Sequence, residues 1–173
     1  TEIAAVDVRN TQAYTPVQLK MNPGNSLLSP WGAAIATRYE RFEYGRVKVR
    51  YIGTCSSATV GRIGLCYEAD PLDPAPATMV LLQQTGISAS CSPWESMEMV
   101  IPASSFRSHA TNAKYVQIDD AADPDYNHTA GLLYIAAAEG PTSGNITTGD
   151  IEIEYTCHLM VPQLHPLGAG SYP

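Results

Sequence analysis

Apolar and polar side chains alternate along much of this chain, and glycine, proline and asparagine repeatedly interrupt the alternation. From Tyr14 to Lys20, Thr15, Val17 and Leu19 alternate with Tyr14, Pro16 and Gln18, which predicts a first strand whose Pro16 suits an edge or a bulge. Asn22–Asn25 (NPGN) is a turn cluster. Ser29 and Pro30 have the chemistry of a helix cap and a first helical residue. Trp31, Ile35, Tyr39 and Phe42 follow at helical spacing, predicting a helix that carries them on one face until Gly45. Arg46–Gly53 then alternates as a strand, with Val47, Val49 and Tyr51 on one side and Arg46, Lys48 and Arg50 on the other. After a short polar turn, Ile63, Leu65 and Tyr67 alternate with Gly64, Cys66 and Glu68. Residues 1–12 show little periodicity and are expected to run over the surface.

Further along, a short helix is predicted from Pro74 to Gln84, stopped by Thr85 and Gly86. Residues 86–94 and 95–102 read as two strands around Ser92 and Pro93, and Ser104–Ser108 as a helical turn. Ala113–Asp119 reads as a strand leading into an acidic loop. Near the end, Ile151, Ile153 and Tyr155 alternate with Glu152, Glu154 and Thr156. About eight short strands with two or three brief helices in the connections predict an all-β, antiparallel two-sheet sandwich, a class in which eight strands often form a jelly roll.

Composition narrows the function. A chain of 173 residues suits one domain, and its net charge of -7 argues against gripping nucleic acid across a broad surface. No apolar run reaches the roughly 18 residues of a membrane helix, so no membrane partner is expected. Cys55, Cys66, Cys91 and Cys157 form no CxxC pair, and no histidine stands at zinc-finger spacing. They read as small buried or half-buried residues of a reduced compartment. His109, His128, His158 and His165 are isolated from one another in sequence, and no nucleophile elbow, phosphate loop or HExxH motif occurs. The chain is not expected to be an enzyme. The triplets at Asn127 and Asn145 fit the glycosylation pattern, but such triplets arise often by chance.

The candidate chemistry lies in Tyr67–Pro76, YEADPLDPAP. Asp70 and Asp73 each precede a proline, which disfavours the helical region and so stops the strand. Asp73 is then placed to cap a helix that starts at Pro74. Two carboxylates on a stiff corner are hard oxygen donors suited to calcium. That ion takes roughly six to eight oxygens, so other groups would have to complete the shell. Both aspartates could equally serve only to terminate local structure. The row Arg46, Lys48 and Arg50 could be merely solvated, or could meet an acidic neighbour or RNA.

In order and spacing, the stretch from Asn22 to Pro76 resembles the shell domain of small icosahedral positive-strand RNA virus coat proteins of the tombusvirus and sobemovirus type. The likeness rests on the SPWGAAIATRYERF segment, the following strand, a "TC" corner at Thr54–Cys55, and an aromatic-acidic-x-D-x-x-D end at Tyr67–Asp73. GLLYIAAAEG resembles that family's penultimate strand, and GDIEIEYTCHLMVPQL its last. The resemblance selects an eight-stranded jelly roll over other sandwiches. It implies a jelly-roll shell domain over residues 13–163, an N-terminal arm or linker ending in residues 1–12, and a C-terminal tail or hinge at 164–173.

By the same resemblance, the chain is expected to be a capsid protein that self-assembles into an icosahedral, mostly quasi-equivalent (T=3) shell around single-stranded RNA. It is expected in the virion, and in host cytoplasm during assembly. Asp70 and Asp73 fall on the family's calcium-binding motif at subunit interfaces. Asp123 or Asp125, from the acidic loop that also holds Asp119 and Asp120, could reach across from a neighbouring subunit. An acidic shell cannot neutralise packaged phosphate alone. A basic arm upstream of Thr1 is therefore expected, with Arg46, Lys48 and Arg50 as possible RNA-facing additions. The alternative is a secreted, calcium-dependent jelly-roll carbohydrate-binding module that holds a structural ion on Asp70 and Asp73 and stacks sugars on Trp31, Trp94 or a tyrosine.

Overall fold

The computed structural model describes residues 1–107, 113–118, 124–142 and 146–164. In chain order its strands are β1 (Glu2–Ile3), β2 (Val8–Arg9), β3 (Thr15–Lys20), β4 (Tyr39–Gly53), β5 (Arg62–Glu68), β6 (Ile87–Cys91), β7 (Met97–Ile101), β8 (Lys114–Tyr115), β9 (Leu132–Ala138) and β10 (Thr147–Pro162). Two short helices, α1 (Pro30–Ala36) and α2 (Met79–Gln84), and one 3-10 turn at Ala103–Arg107 lie in the connections.

The strands form two antiparallel sheets. The larger runs β1-β10-β4-β7, with β2 also on β10 and β8 on β4, and the smaller runs β3-β9-β5-β6. Strands β1 and β2 pair with successive stretches of β10 and act as one interrupted strand. With β8 set aside as a two-residue flank of β4, eight strands remain. The chain crosses between sheets from β2 to β3, from β3 to β4 and from β4 to β5. It crosses again from β6 to β7, from β8 to β9 and from β9 to β10. This is the jelly-roll arrangement.

In the first third of the chain, two local expectations differ from the structure. Residues 1–12 are not a loose surface run: β1 and β2 extend the large sheet, and Ala4, Val8 and Asn10 are buried. Four residues of strand in two separate pieces are too few to show a period of two. Likewise the helix ends at Ala36, and Tyr39 already belongs to the fifteen-residue β4. The helical spacing of Trp31, Ile35, Tyr39 and Phe42 thus straddles a helix and the start of a strand, and a bulge follows within β4. Tyr155 opposes Val47 and Cys157 opposes Tyr44, so Gly45 and Arg46 together face Thr156. The buried positions of β4 therefore switch phase, from Phe42 and Tyr44 to Val47, Val49 and Tyr51.

The core lies between the sheets, where Val47, Val49, Tyr51, Ile63, Leu65, Ile101, Ile151 and Ile153 are all buried. A second apolar layer covers the outer face of the small sheet. There α2 sets Met79 and Leu82 over Cys66, Leu132, Tyr134, Ala136 and Ala138. Gly64 allows that approach, since a Cβ there would stand 2.7 Å from the Met79 sulfur. Being covered on both faces, β9 is apolar throughout and β5 nearly so, whereas β10 alternates along its first half.

Candidate cation site and assembly surfaces

The corner after β5 is held by Asp70. The Glu68 carboxylate accepts from the amides of Ala69 (3.0 Å) and Asp70 (3.4 Å). Asp70 Oδ1 accepts from Leu72 N–H (2.9 Å), and its carbonyl accepts from Asp73 N–H (3.3 Å). Asp73 sits exposed one turn later and caps nothing. Helix α2 begins at Met79, with Thr78 Oγ1 accepting from Leu81 N–H at 3.2 Å. The expected start at Pro74 fails because Pro76 disfavours helical backbone at Ala75.

The acidic loop meets this corner within the same chain. The Tyr126 hydroxyl contacts both Asp70 carboxylate oxygens, at 2.9 and 3.0 Å. That hydrogen bond, with burial and the charges of Asp70 and Asp73, raises the Tyr126 phenol pKa above its ordinary value. Asp125 is engaged locally. Its Oδ1 accepts from Asn127 N–H (2.7 Å) and His128 N–H (2.8 Å), and its Oδ2 lies 2.8 Å from His128 Nδ1. Burial tends to raise the Asp125 pKa, but these bonds outweigh it and hold the carboxyl below its usual range. Asp123 lies outside the described residues, as do Asp119 and Asp120.

Two side chains that sequence reading passed over hold the loop from beneath. Lys114 Nζ donates to the Tyr126 carbonyl at 2.5 Å. Buried Asn22, from the NPGN turn, donates to the carbonyls of Tyr115 (3.0 Å) and His128 (2.6 Å) and accepts from Gly24 and Gln117 N–H. Only the turn signal at Asn22 was visible in the sequence. Its role depends on contacts some hundred residues away.

The donor set at the corner suits a hard cation in type but not in number. Asp70 and Asp73 supply carboxylate oxygens at the surface, and among the described residues no three His, Cys, Asp or Glu side chains converge on one point. A calcium ion at this corner would need most of its oxygens from elsewhere.

The basic row has acidic neighbours in its own sheet. Strand register sets Arg50 between Glu98 on β7 and Glu152 on β10, and Lys48 opposite Glu154. Arg46 is exposed at the bulge.

Large apolar side chains also face outward. Helix α1 buries only Ala33 and Ala36 and leaves Trp31 70% exposed, so the face expected to carry Trp31 and Ile35 points outward rather than into the core. Ile35 on α1, and Val80 and Leu81 on α2, are exposed too. The four cysteines are unpaired. Burial pushes the thiols of Cys66 and Cys91 up to about 11 and that of Cys157 up to about 12. Among the described residues, no helix is long and apolar enough to cross a membrane.

A family model described as viral coat protein (S domain) matches residues 1–165. The capsid protein of tomato bushy stunt virus (strain BS-3) is 30% identical over 148 residues, which cover 84% of this chain and 35% of that protein. The chain therefore spans about a third of that relative's length. Among solved structures, melon necrotic spot virus superposes with a TM-score of 0.79 at 23% identity, covering 93% of this chain and 54% of that one. Tobacco necrosis virus gives 0.77 at 19% identity, covering 90% and 89%. These relatives are a capsid protein and virus structures, which does not favour the carbohydrate-binding alternative.

Proposed function

The chain belongs to the viral coat protein S-domain family, and from that premise we propose that it is the structural tile of an icosahedral shell around single-stranded RNA. The match across nearly the whole chain, joined to the jelly-roll topology, carries this reading. The role is structural rather than catalytic, and its place is the virion, with assembly in host cytoplasm. The outward apolar residues of α1 and α2 supply surface that copies of the chain can cover when they pack together.

Asp70 and Asp73 would hold a divalent cation, most suitably calcium, with the remaining oxygens contributed by a neighbouring copy. Asp123 or Asp125 are candidates, although Asp125 would first have to loosen its bonds to His128. The ion would offset repulsion between carboxylates facing each other across the joint. RNA packaging needs more positive charge than this domain carries, since its net charge is -7. That cationic charge would come from a basic arm.

Negative-stain imaging of the purified protein tests the assembly reading. Closed particles of uniform diameter are expected, and only isolated molecules at every concentration and salt would refute it.

A further inference from the structure

Arg50 is gripped from both neighbouring strands. Its Nε stands 3.1 Å from Glu98, its Nη1 3.3 Å from Glu152 and its Nη2 3.5 Å from Glu154. Lys48 Nζ lies 3.4 Å from the other Glu98 oxygen. Two cations thus face three carboxylates on one patch of sheet. These contacts follow from β-sheet register, because Glu152 opposes Arg50, Glu154 opposes Lys48, and Glu98 opposes Arg50 from the other side. Lys48 is also mostly covered, with 16% of its side chain exposed.

We propose that Glu98, Glu152 and Glu154 form an intramolecular screen that withholds Lys48 and Arg50 from phosphate, so that this sheet face does not grip RNA. A phosphate approaching Arg50 would have to displace a carboxylate already within reach of each guanidinium nitrogen. It would also enter a patch whose formal charge is negative. Exposed ion pairs are weak one at a time. The screen works instead by occupying the donors and cancelling the local field, and its energy need not be large. The proposal refines the RNA reading above by removing Lys48 and Arg50 from the binding surface. It does not depend on particles being formed, because it concerns the isolated chain and a polyanion in solution.

The test is fluorescence anisotropy of a labelled single-stranded oligoribonucleotide with the 173-residue chain over a salt series. The Glu98→Gln/Glu152→Gln/Glu154→Gln variant should bind more tightly, by roughly tenfold at low salt. Its log–log salt slope should steepen by about 1.4, as expected for two newly available cations on a single strand. Adding Lys48→Ala and Arg50→Ala to that variant should abolish the gain. Glu98→Gln alone, which touches both cations, should give a smaller gain and serves if the triple variant folds poorly. No gain in either glutamine variant would overturn the proposal. So would a gain that survives removal of Lys48 and Arg50, since it would then reflect net charge alone. Particles lacking RNA would count against the packaging reading without touching this result.

Discussion

Glu2 caps a helix that begins 28 residues later: its Oε2 accepts from the Trp31 amide at 2.7 Å. Its carboxylate also accepts from Gly32 N–H at 3.1 Å, from Ser29 Oγ at 2.7 Å and from Tyr155 OH at 2.5 Å. Ser29, the cap expected from sequence, makes no side-chain cap bond of its own and instead donates to Glu2. The first strand, the first helix and the last strand are thereby fastened at one carboxylate.

Replacing Glu2 should therefore loosen all three. Glu2→Ala is expected to cost about 2 kcal/mol in urea unfolding, the scale of a lost charged cap with its remaining donors left unpaired. Burial tends to raise the Glu2 pKa, but the bonds from Tyr155, Ser29, Gly32 and Trp31 outweigh it and hold the carboxyl below its ordinary 4.5. For a lowered carboxyl pKa, the stability contribution is complete above 4.5 and is lost as pH falls through the folded-state value. Wild type should lose stability in that acid window more steeply than Glu2→Gln. Parallel profiles would show that Glu2 contributes nothing specific.

Gly131 should tolerate no side chain. Its φ is +126°, and a Cβ would stand 2.5 Å from the Tyr67 ring, whose hydroxyl donates to the Ala130 carbonyl at 2.6 Å. Gly131→Ala is expected to lose at least about 3 kcal/mol, combining backbone strain with a core clash. Gly86→Ala meets nothing within 4 Å and should stay within about 0.5 kcal/mol of wild type. Similar urea midpoints for the two variants would contradict this account of the β5–β9 packing.

Much of this architecture was legible in the sequence, because strands with one wet face must alternate. Val47, Val49 and Tyr51, and likewise Ile151 and Ile153, declared their inward faces directly. The β4 bulge was not legible, since Gly45 and Arg46 are identified only by what stands opposite them. Nor was the Glu2 clamp, which joins side chains distant in sequence. At the corner the two aspartates stood out, but the partner of Asp70 did not. Tyr126 lies 56 residues away, in a loop noticed for its charge rather than its phenol. The basic row was visible, while the glutamates that occupy it became visible only with strand register.

Removing Trp31 and Ile35 should separate folding from assembly. Both side chains are exposed on α1, so Trp31→Ser/Ile35→Ser should shift unfolding by less than about 1 kcal/mol. Particle yield by size-exclusion chromatography should fall sharply. Unchanged yield would show that α1 is not at a contact between copies.

Asp70→Asn/Asp73→Asn should abolish the response to calcium without unfolding the domain, as read by isothermal titration against assembled wild-type protein. The Tyr126→Phe variant keeps both carboxylates and should retain that heat of binding. Equal calcium binding by the double asparagine variant would move the site elsewhere.

Sedimentation velocity of the purified protein with calcium, repeated with chelator at mildly alkaline pH, tests the central claim most directly. The account predicts one fast boundary of closed shells in calcium, and slower, swollen or dissociated material once the ion is removed. A single slow monomer boundary under both conditions would contradict it.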